Sequence, residues 1–147
     1  RLMDVSEYAL SSGLEIRCGD IRFYHAPCHD SLDGKAIKLL EQKCGFEMKA
    51  TSHCCSEAGT MALSRPDITS KMLEKKRASI KEGLEKAGLQ KGVILTNCPS
   101  CLQGLGRNQA SGMVPRHITE ELAIKIGGSD WEKELVRMLG NHEKVNF

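Results

Sequence analysis

The sequence predicts an α/β domain, a three-layer arrangement with a mostly parallel sheet of about four strands and helices on both faces. Three observations lead there. Short β-rich runs alternate with longer stretches of helical periodicity along the chain. The clearest run, Gly92-Val93-Ile94-Leu95-Thr96, is apolar without alternation, as expected of a strand covered on both faces. Gly13, Gly45, Pro66 and Gly88 fall at the ends of runs, where a helix stops or starts.

The elements follow in order. Residues 4–10 predict a short helix stopped at Gly13. Residues 21–25 predict a strand ending at Pro27-Cys28. Residues 32–43 carry apolar Ala36, Leu39 and Leu40, with Ile37 beside them, and Gly45 follows as a C-cap; this predicts a helix. Phe46-Glu47-Met48-Lys49-Ala50 alternates and predicts a second strand. Pro66 opens the longest helix, residues 67–87, and the basic run Lys75-Lys76-Arg77 reads as its solvated face. Residues 92–96 are the third strand, residues 98–105 a helix, and residues 113–117 a weaker fourth strand. Thr119 is the expected N-cap of a helix to Lys125, with Glu120 and Glu121 in its first turn. Residues 130–139 form a last helix with Trp131 as its core anchor, and Met48, Met61 and Met72 are core or gap-filling residues. No repeat, low-complexity segment or linker interrupts the 147 residues, so one domain covering 1–147 is expected.

Composition narrows the function classes. The formal net charge is +2 and the basic residues are scattered, which argues against nucleic acid as a partner. No stretch approaches the roughly 18 apolar residues of a membrane span. Asp4 and Glu7 interrupt the first apolar residues, so no secretory signal is read. Cytoplasmic location is the expectation, with peripheral association with a membrane left open. In the cytosol structural disulfides are rare, and seven cysteines, an odd count, then read as ligands or catalytic thiols. The chain starts at Arg1 rather than methionine, which predicts a piece of a longer polypeptide.

Five of the cysteines carry the functional signal. Cys28 lies in Tyr24-His25-Ala26-Pro27-Cys28-His29; Cys54 and Cys55 are adjacent in Ser52-His53-Cys54-Cys55-Ser56-Glu57-Ala58-Gly59; Cys98 and Cys101 close the set in Asn97-Cys98-Pro99-Ser100-Cys101. Each group falls just after a predicted strand. In a parallel sheet those C-terminal strand ends share one edge, so the three groups are expected to converge. Thiolates and imidazoles gathered there point to a metal or iron–sulfur site, or to thiol redox chemistry. Adjacent cysteines place two thiolates on one tetrahedral metal with difficulty, so the pair suits a cluster of several irons better than a single zinc. His25, His29 and His53 are candidates for donors to sulfur, for ligands, or for ordinary loop residues. Small residues around them, among them Gly34, Ser52, Ser56, Ala58, Gly59, Ser100, Gly104 and Gly106, permit close backbone approach. Cys18 and Cys44 lie outside the pattern, and Cys44 at a helix end reads as packing. Two other classes compete. One is a zinc-binding structural or interaction module using four of the five cysteines, or three and a histidine. The other is a thioredoxin-like dithiol at Cys98 and Cys101.

This arrangement resembles the cysteine-rich "CCG" domain family, which includes the B subunit of heterodisulfide reductase, the iron–sulfur subunit of glycolate oxidase, and the C-terminal iron–sulfur part of FAD-linked oxidases. The resemblance rests on the three cysteine segments above and on Pro115-Arg116-His117-Ile118-Thr119-Glu120-Glu121-Leu122. Ser56 stands where the motif that names the family has glycine. The resemblance implies that Cys28, Cys54, Cys55, Cys98 and Cys101 hold an iron–sulfur cluster of the [4Fe–4S] type, zinc being the alternative found in some motif copies. It implies a redox domain of a larger oxidoreductase of the lactate, glycolate or heterodisulfide kind, inactive alone. No glycine-rich nucleotide fingerprint is present, since Gly104-Leu105-Gly106 lacks the rest of the pattern. FAD is therefore expected on the parent chain or on a partner flavoprotein domain or subunit, with a further protein as electron donor or acceptor.

Overall fold

The strand residues Phe23 and Tyr24, and again Ile94 and Leu95, are consecutive and buried, yet they enter two different core clusters. Adjacent strand residues point to opposite faces, so both faces of this sheet are covered. The computed structural model describes residues 2–13, 16–57 and 61–140; Ala58, Gly59 and His142 lie outside them. The strands β1 (Ile21–Tyr24), β2 (Glu47–Ala50), β3 (Gly92–Thr96) and β4 (Met113–His117) form one sheet in the order β2-β1-β3-β4. Every pairing is parallel. The helices are α1 (Val5–Ser11), α2 (Ala36–Cys44), α3 (Met61–Ser64), α4 (Pro66–Lys86), α5 (Pro99–Gly106), α6 (Ile118–Gly127) and α7 (Trp131–Gly140).

One core cluster gathers Leu10 of α1, Leu40 and Cys44 of α2, and Ile118 and Leu122 of α6 against Tyr24, Met48 and Leu95. The other gathers Ile80 and Leu84 of α4 and Leu105 of α5 against Phe23, Ile94 and Met113. The three-layer α/β architecture expected from the sequence is therefore present. The crossover through α2 leads outward from β1 to β2 on the first face. Those through α4 and α5 lead the other way on the second face, as right-handed connections require. The direction reverses between β1 and β3, and there a crevice opens at the C-terminal edge.

Local chemistry explains the boundaries. Asp4 caps α1 by accepting from the Ser6 amide at 2.7 Å. Gly45 closes α2 at φ +65°, a conformation costly for any residue with a Cβ. Helix α2 begins four residues later than periodicity predicts, because the Asp30 carboxylate takes the amides of Leu32 (3.0 Å) and Gly34 (2.9 Å) and folds residues 30–34 into a turn. Leu32 stays buried in the core regardless. Helix α6 is capped by His117, whose Nδ1 accepts from the Thr119 amide, so Thr119 is not the cap. The fully buried Glu121 accepts from Arg22 at 2.8 Å and Arg116 at 2.6 Å, which ties α6 to β1 and β4. Two further expectations are corrected. Trp131 is half-buried against Gly127, and α7 buries none of its residues, so the last helix lies on the periphery. Lys76 is not on a solvated face: it is fully buried. The stripe Thr69, Lys76, Ile80, Leu84 is the inward face of α4, and Lys75 and Arg77 flank it outside.

Candidate functional site

Cys28 follows β1, Cys54 and Cys55 follow β2, and Cys98 and Cys101 follow β3, the last two as the N-cap and third residue of α5. All five line a single cavity of ≈ 380 Å³ at the C-terminal edge, together with Pro27, His29, Glu57 and Ser100. Burial grades across it. Cys55 and Cys101 are buried, Cys54 and Cys98 half-buried, and Cys28 exposed. The inner pair touches, with its sulfurs 3.2 Å apart. The structure thus brings the three sequence-distant groups together. Cys18 and Cys44 remain apart, packed in and against the core on the α1–α2–α6 face. The deep burial of Cys44 raises its thiol pKa to about 11.

Two clamps fix the loops that carry these cysteines. Asn97, just before Cys98, accepts from the Tyr24 hydroxyl at 3.1 Å and donates to Asp30 at 3.1 Å and Ser31 at 2.9 Å. It therefore joins the loop after β3 to the loop after β1. The second clamp is Lys76. Its Nζ lies 3.0 Å from His25 Nδ1 and donates to Thr51 Oγ1 at 2.8 Å and the Ser52 carbonyl at 2.9 Å. That joins α4 to the loops after β1 and β2. A third close approach is steric: a Cβ on Gly104 would lie 2.2 Å from the Cys55 carbonyl oxygen. Only glycine lets α5 press its backbone onto the cysteine pair, which places Cys101 against Cys55.

The electrostatics of the inner pair follow from its contacts. The Cys101 thiol and the His25 imidazole both favour a thiolate at Cys55, which is held well below the ordinary thiol range. The same contact and burial push Cys101 upward, so the pair retains one proton. Cys54 is pushed up by burial, an effect that the Ser56 amide, 3.4 Å from its sulfur, opposes. His25 is buried, its Nε2 has no hydrogen-bond partner, and one of its ring nitrogens lies within 4.8 Å of both the Cys55 and Cys101 sulfurs. His29 is exposed and borders the cavity, whereas His53 is exposed at φ +65° and is not among the lining residues.

This donor set fits a metal group. Thiolate is a soft ligand that selects zinc, copper(I) and iron–sulfur clusters over hard cations. The buried, unpartnered Nε2 beside the sulfurs is the kind of polar atom a bound group would satisfy. Five cysteines exceed the four donors a structural zinc takes. A family model for the cysteine-rich CCG domain matches residues 23–106, more than half of the chain and all five of these cysteines. The chain belongs to this cysteine-rich CCG family. Neither a curated protein nor a solved structure matches it. Among the described residues no helix is long and apolar enough to cross a membrane.

Family membership gives Ser56 a physical reading. In this CCG domain the residue after the cysteine pair sits at φ +67°, fully buried, with its Oγ unpartnered. A left-handed backbone suits glycine and costs a residue with a Cβ about 1–2 kcal/mol. Glycine adds back about 0.5–1 kcal/mol through its freedom in the unfolded chain. Removing a buried, unbonded hydroxyl is favourable besides. Ser56→Gly should therefore raise stability by about 1 kcal/mol, seen as a higher denaturant midpoint at unchanged slope. A lower midpoint would mean that the hydroxyl has a partner worth more than the backbone strain.

The site residue that sequence reasoning missed is Lys76. The basic run hid it, since three consecutive cations read as solvent-facing. The signal that finds it is spacing. Lys76 stands seven residues after Thr69 and four before Ile80, on the stripe that faces the sheet.

Proposed function

We propose that this domain holds an iron–sulfur cluster of the [4Fe–4S] type on Cys28, Cys54, Cys55, Cys98 and Cys101 and relays electrons for an FAD-linked oxidoreductase. The lactate or glycolate dehydrogenase kind and the heterodisulfide reductase kind are the two settings that the family resemblance offers. The observation that carries this reading is the convergence of five thiols on one cavity in a CCG domain. Such a cluster supplies reversible one-electron chemistry when bound. This chain's own residues then have separable tasks. The five sulfurs bind. Gly104 and Asn97 hold the loops in place. His25 sits beside the buried sulfurs as a donor that helps set the potential. The exposed Cys28 at the cavity mouth brings one sulfur to the surface, where a flavoprotein partner can approach.

A second reading has one observation in its favour. The ligand atoms of His25, Cys55 and Cys101 lie within 4.8 Å of one another, a spacing suited to three ligands of a single zinc ion. The experiment that separates the two is electron uptake. Protein loaded anaerobically with iron and sulfide should take electrons from a photoreduced flavin, seen as bleaching of its visible absorbance. The same chain alone should not oxidise lactate or glycolate. Turnover without an added flavoprotein, or a protein that carries zinc and takes no electrons, would overturn the relay.

A further inference from the structure

Among the described residues two formally charged side chains are completely buried, Glu121 and Lys76, and their surroundings differ. Glu121 is neutralised by Arg22 and Arg116. Lys76 has no carboxylate partner among the described residues; its three hydrogen bonds go to an imidazole nitrogen, a hydroxyl and a carbonyl. Burial lowers its pKa to about 8, and the Cys55 thiolate is the nearby negative charge that opposes this. An ammonium is costly to bury without an opposing charge. Here the opposing charge is that of the cysteine site itself.

The proton accounting fixes the direction of each bond. The Thr51 hydroxyl donates to the Tyr24 carbonyl at 3.0 Å, so toward Lys76 it acts as acceptor. The Ser52 carbonyl can only accept. While Lys76 is an ammonium it has three protons and no lone pair, and His25 Nδ1 then accepts the third. A neutral ring that accepts at Nδ1 carries its proton on Nε2, the buried nitrogen without a partner on the ring beside the Cys55 and Cys101 sulfurs. Desolvation alone cannot explain this arrangement, because a methionine of similar length would fill the same stripe of α4 without the cost.

We propose that Lys76 is a positioning residue and buried counter-cation of the cysteine site: it locks His25 as the Nε2–H tautomer, so that the ring presents a donor to the inner sulfurs, and its positive charge favours the more reduced state of the metal centre. The second half of this statement rests on the electron-relay reading; the first does not. Reduction adds negative charge, and a fixed cation nearby stabilises that charge in a low-dielectric interior. Replacing the cation by an apolar residue therefore makes the centre harder to reduce.

Two measurements test this. In metal-free wild type, nitrogen-15 shifts of the His25 ring should report a proton on Nε2 and a hydrogen-bonded lone pair on Nδ1. A ring protonated at Nδ1, or at both nitrogens, overturns the lock. In the iron–sulfur-loaded protein, Lys76→Met should lower the equilibrium constant for one-electron reduction about tenfold, a fall of about 59 mV in potential. Lys76→Arg keeps the charge and should stay within about threefold of wild type. Equal potentials in Lys76→Met and wild type overturn the counter-cation role. If Lys76→Met does not fold, the wild-type tautomer still decides the first half. A fall in potential for Lys76→Arg as large as that expected from losing the charge would then overturn the second half. Failure to load iron at all would count against the relay reading and leave the tautomer result standing on its own.

Discussion

Gly104→Ala is expected to lower stability by about 3 kcal/mol and to open the cysteine cavity. The added methyl would meet the carbonyl oxygen of Cys55 at 2.2 Å and its carbonyl carbon at 3.0 Å. Neither atom belongs to a flexible side chain, so helix α5 or the loop after β2 must move. Overpacking of a rigid contact typically costs about 1–3 kcal/mol, and backbone against backbone lies at the upper end. Against a total of about 5–15 kcal/mol for a domain, this is a large share. The displacement also pulls Cys101 away from Cys55, so metal uptake should fall together with the denaturant midpoint. The internal control is Gly106, two residues on in the same helix. A Cβ there meets nothing within 4 Å. Gly106→Ala should leave metal uptake alone and stabilise by about 0.5–1 kcal/mol through the lower entropy of the unfolded chain. Equal effects at the two positions would refute the close approach of α5 to the cysteine pair.

Cys55→Ser is expected to abolish metal binding. Cys55 is the buried member of the adjacent pair, it touches Cys101, and its contacts with Cys101 and His25 favour the thiolate. A hydroxyl is not ionised at neutral pH and is a poor ligand for the metals that thiolates select. Groups that merely support ligands change affinity about 10–100-fold, so loss of a direct ligand should exceed about 100-fold. Cys18→Ser removes a thiol that packs against the opposite face and should bind metal as the wild type does. Wild-type affinity in Cys55→Ser would remove the inner pair from the site.

The fold was legible because strand and helix signals agree with one another in this chain. Residues 92–96 and 113–117 fall where periodicity and β-branched content place them, and Pro66 and Gly45 punctuate the helices as their chemistry requires. Boundaries failed where a side chain competed with the backbone pattern. Asp30 captured two amides and delayed α2, and His117 took the capping role expected of Thr119. The short helix at Met61–Ser64 buries no residue, so periodicity had no apolar face to register. The convergence of the cysteines was legible from topology alone, since strand ends in a parallel sheet share an edge. Their grading from buried Cys55 to exposed Cys28 was not, because it depends on how α5 packs. Lys76 escaped for a different reason. Charge type suggested solvent while helical position pointed inward, and position prevailed because the site supplies both the acceptors and the opposing charge.

The measurement that bears most directly on this account is the iron, zinc and acid-labile sulfide content of protein produced and purified without oxygen. The five-thiol cavity predicts brown protein containing iron and sulfide in matching amounts, both lost in Cys55→Ser and retained in Cys18→Ser. Colourless protein with stoichiometric zinc and no sulfide would contradict it, and would make the pocket a structural metal site instead.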